Sequence, residues 1–442
     1  MTASSFLVPA AGLVTAPILA RALSTDGRGE LAAALAPSAL MLGAATLGLP
    51  DALTYHLAKQ PQFTRKALKW ATLITLALGL VCLLATWLAL DFLSAGSRTL
   101  GQLILLSAAL TVPALAVNVL RGAAMGRQMW NRVAVERLII TSIRVLSFGL
   151  LFIASDLTVL AAVLVNVITP IVAGVVYWPL LRRPLAPPDD QTTTSDDGEG
   201  DVSDQLGGSR SVLSTIVSFG SKVWLGSVAS MLLSRAAQLL MTPLSSVEDL
   251  GLYSVATTIS DLPLVVALAI QGALFGVNSK ARDAEQITAT SRLTLLVAVV
   301  GCVVMGATLP FWITPLFGRE FAPALVPTLM LLASALLCIP GLMASTGLSA
   351  WGRPGLRSLG LTVTLVANVA TFVLLVPRLG VYGACWTSLV SNVVMSGFMI
   401  IACRRTLHVP ATSFFLIRGS DVRRAWAEGM GVLRRIRPAR QA

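Results

Sequence analysis

Long, nearly uninterrupted apolar segments constrain this chain more than any other feature of its sequence. They run for about 20 residues, the length that an α-helix needs to cross the hydrocarbon core of a bilayer. Short charged clusters separate them. Only 12% of the residues are charged and 55% are hydrophobic, whereas soluble domains carry about 25% charged residues. The segments are apolar on every face, unlike the alternating strands of a membrane β-barrel. The sequence therefore predicts an all-α polytopic membrane protein.

Apolar windows of this length predict twelve transmembrane helices. Their approximate limits are 3–23, 31–57, 70–91, 101–120, 134–154, 157–180, 212–240, 251–278, 292–316, 322–350, 356–376 and 380–402. Between the sixth and the seventh, prolines and seven acidic residues stand among Ser, Thr and Gly, a composition that forms no packed core. We therefore expect an N-terminal six-helix lobe (1–181), a flexible acidic cytoplasmic linker (182–210), a C-terminal six-helix lobe (211–403) and a basic cytoplasmic tail (404–442).

Several features of the first half recur in the second at nearly constant spacing. The pairs are Gly29 and Gly251, Lys59 and Lys280, Gly126-Arg127 and Gly352-Arg353, and Pro113 and Pro340, at offsets of 221 to 227 residues. The two prolines are expected to break the helix before each Gly-Arg turn. This regularity predicts two pseudo-symmetric lobes. Since six is an even number, both lobes enter the bilayer in the same direction, a build that favours a transporter over a receptor or an anchor.

The distribution of basic residues predicts the orientation. With the N-terminus in the cytoplasm, 25 of the 33 lysines and arginines fall in cytoplasmic segments and five in outer turns, so the positive-inside rule places both termini in the cytoplasm. From Ser420 the tail has the pattern of a basic amphipathic helix on anionic lipids of the inner leaflet, with an unstructured basic tail as the alternative. The charge of +12 does not indicate nucleic-acid binding, because no fold for it is present.

Four basic residues lie where hydrocarbon is expected or at its edge. They are Arg144 in span 5, Arg235 and Lys222 in span 7, and Arg21 at the outer end of span 1. An ionised group in hydrocarbon is costly, so such residues normally face a wet cavity or a partner. We expect them to line an electropositive cavity that binds an anion, above all a phosphate. Asp261 is an alternative partner for Arg144 or Arg235, while Lys222 could reach the headgroups and Arg21 could anchor its helix.

Acidic and amide side chains complete the set of intramembrane polar groups. Asp51 and Asp261 are candidates for proton or cation coupling, and Pro50 is expected to unwind span 2 beside Asp51. Four asparagines suit either sugar hydroxyls or helix–helix hydrogen bonds: Asn118, Asn166, Asn368 and Asn392.

Motifs for catalysis, cofactors and metals are missing from the sequence. The five cysteines lie in or at the end of apolar runs without CxxC spacing, and the two histidines, His56 and His408, form no cluster. There is no Walker motif and no GxSxG. We therefore expect no metal, no cofactor and no enzymatic activity.

Several segments resemble one family. Residues 18–53 (ILARALSTDGRGELAAALAPSALMLGAATLGLPDAL) resemble the opening of the polysaccharide and O-antigen (Wzx-type) flippases, a branch of the MATE-like MOP superfamily. In the second half, four segments resemble that family's turns in order: LGLYSVA (250–256), LFGREFAPA (316–324), LSAWGRPGLRS (348–358) and VPRLGVYGACWTS (376–388). The resemblance spans nearly the whole chain. It implies a MATE-like fold of two six-helix lobes forming a V. Many relatives have an acid two positions after the span-7 arginine, where this chain has Ala237.

The resemblance implies a flippase that moves an undecaprenyl-diphosphate-linked oligosaccharide across the cytoplasmic membrane by alternating access, with the diphosphate among cavity arginines. It also implies work beside polysaccharide polymerases and glycosyltransferases. Two alternatives stay open. A MATE-type antiporter of cationic drugs has the same fold but needs net acidic residues in its cavity. A non-transporting scaffold of a cell-envelope synthesis complex would use the acidic linker and the basic tail for docking.

Overall fold

The computed structural model describes residues 4–59, 64–178, 228–281 and 284–415. Every regular element in these ranges is a helix, which confirms the predicted all-α class. The predicted linker (182–210) and the predicted amphipathic helix after Ser420 lie outside the described residues, as does Lys222.

The helices form two compact units, Met1–Ser254 and Val255–Ala442. The helices of the first unit are α1 (Ser4–Ala44), α2 (Leu49–Lys59), α3 (Thr64–Leu88), α4 (Leu90–Leu93), α5 (Arg98–Gly126), α6 (Trp130–Ile153), α7 (Val159–Ala173) and α8 (Val228–Leu244). A 3₁₀ turn, Gly174–Tyr177, extends α7. Because α8 packs in the first unit, the observed division falls later in the chain than the linker. The predicted boundary inside the linker stays a prediction.

The second unit contains the remaining helices. They are α9 (Val247–Ala281), whose first turns belong to the first unit, then α10 (Ala284–Phe317), α11 (Leu325–Ala350), α12 (Pro354–Leu379) and α13 (Val381–Leu407). Two 3₁₀ segments, Arg319–Ala324 and Ala411–Phe414, lie before α11 and after α13. Within the described ranges, seven helices are long and apolar enough to span a bilayer, and α8 is a shorter apolar helix.

Two breaks divide the first 59 residues. Ser24 has φ 62° and ψ −175°, so α1 consists of two helical halves, 4–23 and 25–44. The second break precedes Pro50, where Leu47 (φ 46°) and Gly48 (φ 68°) are left-handed. Pro50 then lies in the first turn of α2, where its missing N–H leaves no helical bond unmade. Predicted span 2 (31–57) is therefore two helices, as the proline suggested.

The prediction that Pro113 and Pro340 break their helices is wrong. Both lie inside continuous helices, α5 and α11. A proline removes one backbone hydrogen bond, and neighbouring side chains can satisfy the groups it disturbs. At Pro340, Ser396 of α13 does so: its Oγ accepts from the N–H of Gly341 at 3.2 Å and donates to the carbonyl of Leu337.

Close packing between α2 and α5 depends on glycine. A Cβ on Gly122 would lie 2.6 Å from the Cα of Pro50, so only glycine lets the two backbones approach this far. Thr54 Oγ1 bridges the helices there, with Pro50 O at 2.8 Å and Gly122 O at 3.0 Å. Leu53 and Val119, both 0% exposed, belong to the apolar cluster beside this contact. The contact fixes the position of α5, which carries part of the cavity described below.

Replacing Gly122 by alanine should destabilise the protein by about 1–3 kcal/mol, because overpacking forces the two backbones apart. Gly149→Ala in α6 is the matched control, since nothing lies within 4 Å of its Cβ position. The apparent midpoint of thermal unfolding in detergent measures both. Equal midpoints for the two variants would contradict the close contact.

Candidate functional site

A cavity of about 600 Å³ lies inside the first unit, among five helices. Its lining includes four arginines and four uncharged polar residues: Arg121, Arg137, Arg144, Arg235, Ser38, Thr111, Asn118 and Asn166. The rest of the lining is apolar, and no acidic side chain belongs to it among the described residues. The cavity is therefore strongly electropositive, in the volume range of sites that enclose small molecules or headgroups.

Helical periodicity explains why these side chains converge. On α5, the lining residues Thr111, Asn118 and Arg121 follow spacings of seven and three, which keep them on one face. On α6, Arg137 and Arg144 are seven residues apart, again on one face. The polar lining residues of each helix therefore face a common space.

Arg137 and Arg144 are two basic residues on the same face of α6. Two helical turns separate them, about 10 Å along the axis. Arg144 stands fourteen residues after the start of α6 at Trp130, a depth of about 21 Å if that end lies at the membrane surface. Neither residue has a hydrogen-bond or ion-pair partner among the described residues, and Arg144 Nε is buried without one. These guanidinium groups are left available to a ligand.

Arg121 is held differently, by a buried carboxylate. Its Nε and Nη2 donate to the two carboxylate oxygens of Glu136 at 2.9 and 2.6 Å, and its Nη1 donates to Asn118 Oδ1 at 3.0 Å. Tyr177 also donates to Glu136, at 2.7 Å. The Glu136 side chain is 0% exposed, whereas Arg121 is 28% exposed. Arg121 and Asn118 line the cavity, and Glu136 and Tyr177 lie behind them.

The structure brings two of the four predicted basic residues into this cavity. Arg144 and Arg235 both line it, and Arg235 Nη1 donates to Gln238 Oε1 at 2.8 Å. Arg21 does not belong to the lining; it is exposed, three residues before the break at Ser24. Lys222 lies outside the described residues. The binding roles of all four residues stay predictions.

The two predicted ion-coupling residues lie on α2 and α9. Asp51 is in the first turn of α2. Its side chain is not among those that the structure describes. Asp261 is on α9 within the second unit, and its side chain is exposed. Asp261 does not belong to the cavity lining, and the coupling roles of both residues stay predictions.

The structure places the four asparagines in two kinds of environment. Asn118 and Asn166 line the cavity. Asn368 donates to Ser391 Oγ at 2.8 Å, joining α12 to α13, and Asn392 donates to Ser334 Oγ at 2.8 Å, joining α13 to α11. The second unit thus uses its amides for helix packing.

Three site residues were missed from the sequence: Arg121, Arg137 and Glu136. The count of basic residues placed both arginines among the cytoplasmic segments, although Arg137 lies inside the predicted span 134–154. In the structure the connection between spans 4 and 5 is short, because α5 continues to Gly126 and α6 begins at Trp130. The window predicted for span 4 ends just before Arg121, whereas α5 continues to Gly126. The available signal was the spacing of seven between Arg137 and Arg144, which places both on one helical face.

A second paired feature lies where α1 meets α9. A Cβ on Gly29 would lie 1.9 Å from the carbonyl oxygen of Val247, and one on Gly251 would lie 1.9 Å from that of Thr25. The offset is 222 residues for both the glycines and their contacts. Each glycine therefore meets the carbonyl four residues before the other glycine, as in a two-fold symmetric contact. Both sides belong to the first unit.

The family model described as "Polysaccharide biosynthesis protein" matches residues 1–282. The chain belongs to the polysaccharide biosynthesis protein family. No curated protein sequence matches it.

Solved structures show that this family member has a MATE-like fold. An inward-facing multidrug-resistance MATE transporter is 14% identical, with a TM-score of 0.69 over 92% of this chain and 95% of that chain. The lipid II flippase MurJ, in an inward closed conformation, is 11% identical, with a TM-score of 0.69 over 93% and 88%. A MATE transporter from Vibrio cholerae is 12% identical, with a TM-score of 0.59 over 93% and 95%. The resemblance predicted from the sequence is confirmed.

Replacing Arg144 by glutamine should weaken the binding of inorganic pyrophosphate by about tenfold or more, since a charged hydrogen bond contributes ~1.5–3 kcal/mol. Calorimetric titration of the purified full-length chain in detergent measures the affinity. Arg378→Gln carries the same charge change on an exposed residue of α12 and should leave the affinity unchanged. Equal losses in both variants would argue for nonspecific charge attraction.

Proposed function

We propose that this protein is a flippase that carries an undecaprenyl-diphosphate-linked oligosaccharide across the cytoplasmic membrane by alternating access. The observation that carries this proposal is the cavity, which is lined by four arginines and, within the part of the chain that the structure describes, by no acidic side chain. Membership in a polysaccharide biosynthesis family supports it, as does the fold shared with a lipid II flippase.

The chemistry of the cavity suits a diphosphate. Guanidinium groups bind phosphate oxygens with two parallel hydrogen bonds, and such bonds are stronger in a site that excludes water. Arg137 and Arg144 have open donors at two levels of α6. A diphosphate entering from the cytoplasm would meet Arg137 first and Arg144 deeper in the membrane.

Uncharged polar groups beside the arginines suit a sugar. Asn118, Asn166, Ser38 and Thr111 line the same cavity and offer donors and acceptors to hydroxyl groups. The apolar part of the lining could face the lipid side of the headgroup. One cavity thus provides partners for the charged and the neutral part of such a substrate.

Alternating access requires a contact that opens on one side. With the termini in the cytoplasm, as the basic residues predict, the Gly29–Gly251 contact lies on the outer side, near the start of the second half of α1 (25–44) and near the start of α9. Because it is formed by backbone against backbone, few side-chain interactions must be broken to separate it. We propose that this contact closes the outer side while the cavity receives substrate.

A MATE-type multidrug antiporter is the second candidate, because two of the structural neighbours described above are multidrug or MATE transporters. A cationic drug would meet four arginines without an acidic residue in the described lining, so the charge of the cavity disfavours this function. A scaffold role gives the four arginines no ligand.

In the proposed flippase, Asp51 or Asp261 would supply ion coupling. The basic tail would bind anionic lipids, and polysaccharide polymerases or glycosyltransferases would be its neighbours in the membrane.

Replacing both Arg144 and Arg235 by alanine should abolish surface glycan in producing cells, because the cavity would lose two anion donors. Glycan on intact cells and protein in the membrane fraction are measured together. The matched control, Arg319→Ala with Arg378→Ala, removes two exposed arginines and should leave export normal. Normal surface glycan in the cavity variant would favour the scaffold. Altered efflux of a cationic dye from cells with the cavity variant would favour the antiporter.

Replacing Gly29 and Gly251 by leucine should hold the outer contact open, because both side chains would collide with backbone. A cysteine at Ser38, with the five native cysteines replaced by alanine, reports access to the cavity. Labelling by an impermeant maleimide from outside should rise several-fold. Gly355→Leu, at a glycine with nothing within 4 Å of its Cβ position, serves as control. Unchanged labelling would refute this contact as the outer closure.

A further inference from the structure

Glu136 stands out because it is a fully buried acid beside an electropositive cavity that it does not line. Its neighbours in the packed core are apolar: Val133 one turn earlier on α6 and Val117 on α5 pack around Tyr177. The charged group on a facing helix that contacts its carboxylate is the Arg121 guanidinium. Such a buried acid is retained only where its partners satisfy it.

The hydrogen bonds fix the plane of the Arg121 guanidinium. The carboxylate of Glu136 accepts hydrogen bonds from Nε and Nη2, along one edge of the guanidinium group. This bidentate geometry orients an arginine more strongly than a single hydrogen bond does. Asn118 accepts from Nη1 at the far end of the group. Since Asn118 also lines the cavity, this end of the guanidinium lies on the cavity side, and the carboxylate lies on the protein side.

Tyr177 completes the arrangement from the third helix. Its hydroxyl donates to Glu136 Oε2, the oxygen that also accepts from Arg121 Nε. The carboxylate is therefore held by α5 and by the turn that follows α7, and its own position is fixed. A chain of contacts runs from Tyr177 through Glu136 and Arg121 to the cavity.

We propose that Glu136 is a positioning residue for anion recognition: it holds Arg121 so that its Nη1 end, with Asn118, faces the phosphate of the substrate. This inference rests on the proposed function. Arg137 and Arg144 then supply unneutralised charge, while Arg121 supplies oriented hydrogen-bond donors whose charge is largely balanced. The expected ligand is a diphosphate whose second phosphate group lies near Arg121.

The opposite role for Glu136 makes a different prediction. If Glu136 merely competed with the ligand for Arg121, removing its charge would free a fourth cation and tighten anion binding. A positioning role predicts weaker binding, because a glutamine in its place offers one acceptor and directs its amide N–H groups at a guanidinium that has only donors. The direction of the change decides between the two roles.

The experiment measures the affinity of purified full-length protein in detergent for inorganic pyrophosphate. Glu136→Gln should weaken binding about tenfold, the effect typical of residues that orient a ligand-binding group. Glu136→Asp, which keeps the carboxylate, should bind at least threefold better than Glu136→Gln. A role in packing alone predicts the reverse order, because glutamine matches the size of glutamate and aspartate does not.

Two further variants test the route through Arg121. Glu136→Gln added to Arg121→Gln should cause no further loss, since a residue that acts through another is non-additive with it. Tyr177→Phe should weaken binding about threefold, and it carries the test if Glu136→Gln is not recovered as folded protein. Asp156→Asn, an exposed acid just after the same helix, is the control and should bind normally.

The outcomes separate this inference from the proposed function. Unchanged or tighter pyrophosphate binding by Glu136→Gln, or by Tyr177→Phe if it stands alone, overturns the positioning role and leaves the flippase proposal intact. Absence of pyrophosphate binding by the unmodified protein overturns both. Weaker binding by Glu136→Gln, with aspartate restoring it and no further loss on Arg121→Gln, supports the inference.

Discussion

Keeping a guanidinium charged inside a membrane is the constraint on which this architecture depends. Each such group costs about 2.5–3.5 kcal/mol on insertion scales unless water or a counter-charge surrounds it. The first unit meets the constraint in two ways. Arg121 is paired with the buried carboxylate of Glu136. Arg137 and Arg144 instead border an open cavity, which lets water or an anion surround them. At Arg137 and Arg144 the unbalanced charge therefore faces a space that a ligand can enter.

Close backbone approach positions two of the helices that line this cavity, α5 and α1. Gly122 seats α5 against Pro50 at the start of α2, and α5 carries Arg121 and Asn118. Gly29 and Gly251 let the α1 and α9 backbones touch without side chains between them. Small residues are common at such membrane interfaces because lipid offers no hydrophobic force to bring helices together, and tight packing must replace it. In the second unit Asn368 and Asn392 use hydrogen bonds for the same purpose.

Sequence reasoning succeeded where one property decided the outcome. Apolar length predicted the helices, and the break before Pro50 followed from its missing N–H. It failed where two properties competed. Arg121 directly follows the window 101–120 and Arg137 is the first cation of the window 134–154, so both were counted as cytoplasmic charge, although the helices that carry them line the cavity. Pro113 and Pro340 were expected to end helices, yet helix packing and the Ser396 hydroxyl satisfy the backbone at Pro340.

The sequence by itself determined that this protein is an all-helical membrane protein of the polysaccharide biosynthesis family, because apolar length and turn residues are local properties. It also indicated that Arg144 and Arg235 need a polar environment. Only the tertiary structure decided that these two share a cavity with Arg121 and Arg137, and that Glu136 lies behind Arg121. Which charges meet depends on how separate helices rotate and pack against each other. No spacing within a single helix contains that information.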